Sequence, residues 1–304
     1  MGLQNRWVDK PVQFIVFENG YAGIMGEHSV MDGTPTARMC DEVLDNLYSP
    51  SFDHGSPAST TNSAPTPTPL DWEVSSATTQ AIEVANKAAT ELAESQELGF
   101  YLTSYGKAAI KKFGVSPDSW AQMIVQLAYR RLIGSSQRIG GTYEAATTRK
   151  FYKGRTEAIR VVTSESDAWV KSMDDQSATI ETRKHLFDQA AKKHIVLAKA
   201  GGQGQGVDRH LFGLKKLLQE GEELPELFKD PVFARSSYWV LSTSAVFSKH
   251  FPVYGWGEVR FPCLLVFHDR LYAVQVVPDG LGVAYMTGFD GMLLHANIPL
   301  LHAQ

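Results

Sequence analysis

The chain has 304 residues, of which 43% are hydrophobic and 20% charged, and its net charge is −4. This balance is that of a soluble globular protein, and without a block of like charges it gives no reason to expect a nucleic-acid partner. Cys40 and Cys263 are far apart, without His or Cys at ligand spacing, so neither a disulfide scaffold nor a zinc site is indicated.

No apolar run reaches the length of a membrane span, and the first ten residues lack the apolar core of a secretion signal. The sequence therefore predicts a protein without a transmembrane segment, in a reducing compartment inside the cell.

The first predicted element is a buried strand, "VQFIVF" at residues 12–17, which the turn signal "ENG" closes. Downstream, "GEHSVMDGTP" places His28, Asp32 and Gly33 on a loop near a strand end. Such a loop suits catalysis, because a sheet fixes it while its side chains stay accessible, and histidine can exchange a proton near neutral pH. A histidine that only caps a turn is the alternative interpretation.

A helical pattern follows at residues 36–48, and then a stretch dense in Pro, Ser and Thr, residues 49–70, which predicts a mobile surface excursion. Beyond it the pattern is mainly helical, with a few strands, which predicts a mixed α/β or α+β protein. The predicted helices are 80–98, with Ile82 and Val84 on a shared apolar face, 117–132, 179–200 and 208–219; the predicted strands are 238–241, one near Leu271 and one near Gly282.

The glycine-rich segment "GGQGQG" at residues 201–206 does not predict a dinucleotide site, because a helix rather than a strand precedes it. We expect a flexible joint there.

Six segments stand in an order and at a spacing that resemble the choline/carnitine O-acyltransferase family, in particular its fungal carnitine acetyltransferases. They are "HSVMDG", "YGKAAIKKFGVSPDSW", "GTYEAATTRKFYKGRTEAIR", "DRHLFGL", "LSTS" and "VVPDG". The resemblance runs from about Gly23 to Phe289. It implies the α/β fold of CoA-dependent acyltransferases such as chloramphenicol acetyltransferase, a mixed sheet flanked by helices, with largely one of the family's two domains present.

The domain division that this resemblance implies has three parts. Residues 1–48 are the end of an N-terminal domain that carries the histidine loop. Residues 49–74 are a flexible insertion, and residues 75–304 are a C-terminal domain for carnitine and CoA that is incomplete at its end. Residues 260–275 look inserted relative to the family, and the segment after Asp290 departs from its pattern, so we interpret both as retained intron sequence.

The resemblance assigns the catalytic roles to three residues. His28 matches the general base, Asp32 the acid beside it, which we interpret as a structural partner, and Ser244 the hydroxyl that donates to the oxyanion of the tetrahedral intermediate. No metal and no acyl-enzyme are required.

It also assigns the binding residues. Tyr143, Thr156 and Arg209 match the clamp on the carnitine carboxylate, and Ser242 borders the same site; read without the resemblance, each of the clamp residues would be an ordinary helix or loop residue. Lys107 and Lys111, four apart on one helix face, match the lysines for the CoA phosphates, although a solvated helix face is the alternative. Asp118 matches a further CoA-site residue, and Tyr254 the floor of the acyl pocket.

The implied activity is reversible transfer of an acetyl or other short acyl group between CoA and carnitine. CoA is then a substrate, and no tightly bound cofactor is expected. The family resemblance implies a mitochondrial or peroxisomal location, and it leaves open whether the missing N-terminal half is supplied by another chain. Two alternatives remain: an inactive truncated relative that still binds CoA and carnitine, and a helical interaction protein that binds neither.

Overall fold

The computed structural model describes residues 9–55, 68–134, 138–250, 276–288 and 290–299, together with positions 7 and 66. The strands in this part of the chain are β1 Val12–Val16, β2 Ala22–Gly26, β3 Gln96–Leu102, β4 Thr142–Thr147, β5 Thr156–Arg160, β6 Leu241–Ala245, β7 Leu281–Thr287 and β8 Met292–Pro299. The helices are α1 Gly33–Leu47, α2 Ser76–Glu94, α3 Lys107–Lys112, α4 Pro117–Ile133, α5 Ser164–Asp174, α6 Ile180–Gly202, α7 Asp208–Lys216, α8 Glu226–Lys229 and α9 Pro231–Ser236.

Six strands form one mixed sheet in the order β3-β8-β7-β6-β4-β5. The central strand β6 is parallel to both β4 and β7, whereas the remaining pairs are antiparallel. The carboxyl ends of β4, β6 and β7 therefore meet at one edge of the sheet. Strands β1 and β2 form a separate antiparallel hairpin.

Helices cover both faces of the sheet, and the alternation of side chains along β7 shows how. Val283 and Tyr285 face α4, where they join two apolar clusters with residues of that helix. Ala284 and Met286 face the other way, in a cluster that α1 and β2 complete. The sequence expectation of an α/β protein with a mixed sheet flanked by helices is confirmed.

Side-chain caps define where several helices begin. The Ser116 side chain accepts a hydrogen bond from the Ser119 backbone N–H at the start of α4, and Pro117 occupies the first turn. Thr163 and Ser166 form a reciprocal capping box at α5. The helix predicted at residues 117–132 is confirmed, as are the helix near 36–48, the helix near 179–200 and the strand near Gly282. The first strand is confirmed in position, but the prediction that it is buried was wrong, because none of the residues Val12–Val16 is buried.

Several predicted ends of helices and strands were wrong. The helix predicted to reach residue 98 ends at Glu94, and its last residues belong to β3. Its expected apolar face is largely exposed, with Ile82 50% and Val84 69% accessible. The strand predicted at 238–241 begins only at Leu241, and the helix predicted to reach residue 219 ends at Lys216. The segment after Asp290, expected to depart from the family pattern, forms β8 between β3 and β7.

The β1-β2 hairpin is attached to the core mainly through β2, in which Ile24 and Met25 are both buried. Ile24 of β2 packs in the cluster with α1 and β7, whereas Phe14, Val16 and Phe17 remain more than half exposed. In the described part of the chain, no helix combines the length and apolar character needed to cross a bilayer.

Candidate active site

A cavity of about 910 Å3 opens on the α1 face of the sheet. It brings together seven residues that the sequence assigned to catalysis or to carboxylate binding, namely His28, Asp32, Tyr143, Thr156, Arg209, Ser242 and Ser244. They come from the loop after β2, from three neighbouring strands and from α7. Residues as much as 216 positions apart in sequence thus line one space.

His28 lies on the loop between β2 and α1, and its side chain is about one-third exposed. Its Nδ1 is 2.8 Å from the backbone oxygen of Met31. Because a carbonyl oxygen can only accept, Nδ1 donates in this contact, and neutral His28 then carries its basic lone pair on Nε2. The loop therefore selects the tautomer that a general base needs.

Asp32 lies beside the histidine, with Oδ1 3.7 Å from Nδ1 of His28. Its stronger contact is with Arg155, at the start of the β5 region, which donates from Nε and Nη2 to the two carboxylate oxygens at 2.8 Å each. Such a paired geometry fixes both the position and the plane of a carboxylate. Arg155 therefore ties the histidine loop to the main sheet, a link the sequence did not reveal.

Gly33, directly after Asp32, allows α1 to begin close to the sheet. A Cβ atom at this position would come within 2.9 Å of a methyl group of Val246. Any larger residue would push the loop away from Val246, the residue that follows β6. This contact accounts for the glycine that follows the aspartate in the sequence.

Three residues proposed for a carboxylate clamp lie next to one another. Tyr143 and Thr156 are on the paired strands β4 and β5, and the tyrosine hydroxyl is 3.5 Å from Oγ1 of Thr156. Arg209 of α7 donates to the backbone oxygen of Thr156 at 3.0 Å and to its Oγ1 at 3.1 Å. Read without the resemblance these would have been helix or loop residues, whereas Tyr143 and Thr156 are strand residues.

The start of α7 is anchored so that Arg209 reaches the cavity. Asp208 accepts two hydrogen bonds from Arg160 of β5, at 3.0 and 2.7 Å. Buried Glu157 accepts from the backbone N–H of Arg209, and a Cβ on Gly206 would clash with the Glu157 side chain at 2.4 Å. The glycine-rich segment expected to be a flexible joint therefore includes a close-packed position, and Gly201 and Gly202 belong to α6.

Ser242 and Ser244 are on β6, and Tyr143 is directly opposite Ser242 in the parallel pairing of β4 and β6. The residue between the two serines, Thr243, is fully buried and donates to the backbone oxygen of Tyr143 at 2.8 Å. Strand alternation thus turns both serine hydroxyls toward the cavity side.

The cavity lining is strongly cationic, although the whole chain has a net charge of −4. Among the lining residues that the structure describes, Asp32 is the single carboxylate. The cations are Arg38, Arg149, Lys153, Arg155 and Arg209, and three of them belong to the β4-β5 connection and the start of β5. This end of the cavity favours an anionic group.

Lys107 and Lys111 are exposed on α3 and lie outside the described cavity lining. The backbone N–H of Lys107 donates to the carbonyl of Gly288, just after β7. Helix α3 is therefore at the carboxyl edge of the parallel strands. Asp118, in the first turn of α4, accepts a hydrogen bond from Tyr285 at 2.6 Å. Tyr254 and residues 260–275 lie outside the described residues.

Sequence reasoning missed several residues that shape this site: Arg155, Glu157, Arg160, Asp208 and Trp239. Trp239 lines the cavity, with its ring 5.9 Å from that of Tyr143 and the Arg160 guanidinium 5.0 Å above it. The sequence offered one signal for the charged residues of this set. Charged residues stand beside two of the predicted clamp residues, in "GRTE" around Thr156 and "VDRH" around Arg209.

Comparison with known proteins gives a consistent result. The family described as Choline/Carnitine o-acyltransferase matches residues 1–298, beyond the Asp290 limit expected from the sequence pattern. Mitochondrial carnitine O-acetyltransferase of Saccharomyces cerevisiae is 36% identical over 301 residues, covering 97% of this chain and 41% of the relative.

Two further relatives show how broad the similarity is. Human carnitine O-acetyltransferase is 32% identical over 298 residues, covering 97% of this chain and 43% of the relative. Peroxisomal carnitine O-octanoyltransferase of Bos taurus is 36% identical over 246 residues, covering 79% and 40%. The chain thus spans about two-fifths of the length of these relatives.

Proposed function

The chain belongs to the choline/carnitine O-acyltransferase family, and on that premise we propose that it transfers a short acyl group between CoA and carnitine. The mixed α/β sheet is consistent with the fold of CoA-dependent acyltransferases. The observation that carries the proposal is the convergence of His28, Ser244 and the Tyr143–Thr156–Arg209 group on one cavity.

In the proposed reaction, Nε2 of His28 takes the proton of the carnitine hydroxyl as the hydroxyl oxygen attacks the thioester carbonyl. The negative charge that develops on the carbonyl oxygen is stabilised by the Ser244 hydroxyl. When the carbon–sulfur bond breaks, the imidazolium returns its proton to the CoA thiolate. The reverse step begins with the thiol as the acceptor, so the same residues serve both directions.

Asp32 has a positioning role in this scheme. Its paired bonds to Arg155 hold the carboxylate in place beside His28, which supports reading the acid as a structural partner rather than a proton carrier.

The positive charge of the cavity lining supports a zwitterionic substrate that binds in a single orientation. The carboxylate of carnitine is attracted to the end of the cavity where Arg209 and Thr156 meet, whereas its ammonium group is repelled from the same cations. The hydroxyl lies between these two groups in carnitine, so alignment of the charges brings it toward His28.

Replacing Arg209 by glutamine is expected to weaken carnitine binding about 10- to 100-fold, since a hydrogen bond to a charged group contributes roughly 1.5–3 kcal/mol. Choline, which lacks the carboxylate, should lose no affinity. Calorimetry with both ligands measures the difference. Arg131→Gln, at an exposed arginine of α4 outside the cavity, is the matched control. Equal losses for carnitine and choline would contradict the clamp.

Replacing both Lys107 and Lys111 by alanine is expected to weaken CoA binding more than dephospho-CoA binding, because only CoA carries the additional phosphate that two ammonium groups would attract. The difference should shrink as salt is added. Lys112→Ala, one position along on the same helix, controls for a general loss of positive charge. If both ligands weaken equally, the lysines do not bind the phosphate.

We also propose a preference for acetyl over longer acyl groups. Percentage identity does not separate these substrates, because the yeast acetyltransferase and the octanoyltransferase are both 36% identical to this chain, over 301 and 246 residues respectively. The preference therefore rests on the expected pocket residue Tyr254. By the same reasoning we propose a mitochondrial or peroxisomal location, the two compartments named among the relatives.

Thiol release from acetyl-CoA in the presence of carnitine tests the proposal, with calorimetry of both substrates beside it. Transfer by this chain supports an active enzyme. Binding of both substrates without transfer indicates an inactive half that needs the remainder of the family's length. Failure to bind either substrate favours an interaction protein and would overturn the proposal.

A further inference from the structure

A buried acid–base pair lies behind the cavity, on the helix side of the sheet. Glu144 alternates with Tyr143 along β4 and points away from the cavity toward α6. Its Oε2 is 2.6 Å from Nε2 of His194, and Nδ1 of His194 is 2.8 Å from Oγ of Ser119 on α4. The two side chains are only 7% and 2% exposed, respectively. The pair does not touch the cavity, yet it belongs to the same strand as Tyr143.

The Tyr285 hydroxyl lies between the carboxylate of Asp118 and that of Glu144. The hydroxyl of Tyr285, on β7, donates to Asp118 at 2.6 Å and lies 3.5 Å from Oε1 of Glu144. Asp118 and Tyr285 are the titratable groups that face the pair from α4 and β7 within the described ranges. While Glu144 and His194 share a proton, the negative charge of Glu144 beside Asp118 is offset. Without that proton the two carboxylates repel each other around a single hydroxyl.

A continuous set of hydrogen bonds returns from this cluster to the cavity. Gln122 of α4 donates from Nε2 to the Tyr285 hydroxyl at 3.0 Å and to Oγ1 of Thr243 at 2.8 Å. Thr243 in turn donates to the backbone oxygen of Tyr143. The charge state of the pair therefore acts on contacts that align β4 with β6, the strands of Tyr143, Ser242 and Ser244.

Both members of the pair hold protons more firmly than in an unfolded chain. Burial raises the pKa of Glu144 to about 7, against the hydrogen bond from His194. Burial lowers the pKa of His194, but the hydrogen bond and charge of Glu144, with the charge of Asp118, outweigh it and raise the pKa overall. Since the folded state binds more protons, the stability contributed by Glu144 is lost as pH rises from about 4.5 through about 7. The stability contributed by His194 is lost as pH rises above 6.5.

Asp118, Glu144 and His194 each offer one possible ligand atom for a metal ion, and these atoms lie within 4.8 Å of one another. The 2.6 Å separation of Nε2 and Oε2 is a hydrogen-bond distance, however, which puts a proton between them.

We propose that Glu144 and His194 are positioning residues whose shared proton keeps β4 and β6 aligned at the cavity. This role extends the proposed function, because it concerns the strands that carry the substrate clamp and the oxyanion donor. Neither residue touches the substrate. Loss of the proton lets Asp118 and Glu144 separate, which releases the contacts through Tyr285 and Gln122 to Thr243.

Nuclear magnetic resonance of the chain, with labelled histidines and backbone amides, tests this between pH 5 and 9. The His194 signals are expected to titrate, and the amide signals of Tyr143, Thr243 and Ser244 to shift with the same midpoint. In Glu144→Gln the His194 midpoint should fall by about one pH unit or more, since an adjacent carboxylate stabilises the charged imidazole. His185→Gln, at an exposed histidine of the same helix, should change neither result.

Tyr285→Phe separates the pair from the strands without removing either member. We expect His194 to titrate as before, while the three amide signals no longer follow it. Amide signals that never follow His194 in the parent chain, or a His194 midpoint unchanged in Glu144→Gln, would overturn the inference. Should Glu144→Gln fail to fold, the parent titration and Tyr285→Phe still decide.

Calorimetry with carnitine then separates the two proposals. Affinity is expected to weaken roughly fivefold or more above the His194 midpoint in the parent chain, and to show no such step in Tyr285→Phe. If the three amide signals follow the His194 titration but carnitine does not bind at any pH, the proposed function is refuted and the coupling stands. If carnitine binds but the amide signals do not follow His194, the coupling is refuted and the proposed function stands.

Discussion

Replacing His28 by alanine is expected to lower acyl transfer about 100- to 10,000-fold, the range that a positioned general base contributes. The lone pair on Nε2 is lost, and none of the other described cavity residues can take the hydroxyl proton with the same geometry, because Asp32 is already paired with Arg155. CoA affinity should stay nearly unchanged, since the base acts mainly in the transition state. Thiol release and CoA calorimetry measure the two effects, in the chain joined to the rest of the family's length.

His185→Ala provides the control for removing a histidine from the protein. It is exposed on α6, away from the cavity, and should leave transfer within the error of the assay. A His28 variant that retains activity within a few fold of the parent would remove the histidine from the mechanism, whatever its position in the cavity.

Replacing Ser244 by alanine is expected to lower kcat by about 100- to 1,000-fold, because a single oxyanion donor contributes roughly 3–4 kcal/mol in a preorganised site. The loss should fall on kcat rather than on carnitine or CoA affinity, since the oxyanion exists only during the reaction. Steady-state kinetics with both substrates varied separates these parameters.

Ser172→Ala is a suitable comparison for Ser244→Ala. Its hydroxyl is buried and donates to the Trp169 backbone oxygen, but Ser172 lies on α5 and outside the described cavity lining. A Ser244 variant that raises the Michaelis constants and leaves kcat intact would show that the hydroxyl binds substrate and does not stabilise the oxyanion.

Periodicity predicted the helices with a clear apolar side and missed the strands that build the site. In "TYEAAT" and "TEAIR" the buried positions include Glu144 and Glu157, and alanine has little strand preference, so neither pattern resembles a strand. Their carboxylates can be buried because His194 and backbone N–H groups from β5 and α7 bond to them. That compensation is tertiary and leaves no local signal.

The resemblance supplied the residues proposed for the clamp and for catalysis, and the structure brings these into one cavity. It could not supply Arg155, which matters through a contact with Asp32 across 123 positions, or His194, which meets Glu144 across 50. In the sequence, Arg155 and His194 look like ordinary surface residues. Long-range pairing of this kind is decided by the fold and not by neighbouring residues.

The hairpin that leads to His28 has a thermodynamic consequence of its own. A two-stranded ribbon is marginally stable by itself in water. This one is held through β2 by the Ile24 cluster and at the following loop by the Arg155–Asp32 bridge, while Phe14 and Val16 of β1 remain exposed. The opening free energy of the ribbon is therefore smaller than that of the six-stranded sheet. Heat or denaturant is therefore expected to act in two stages. The loop of His28, the proposed base, would be displaced first, while the larger sheet still gives a native spectrum.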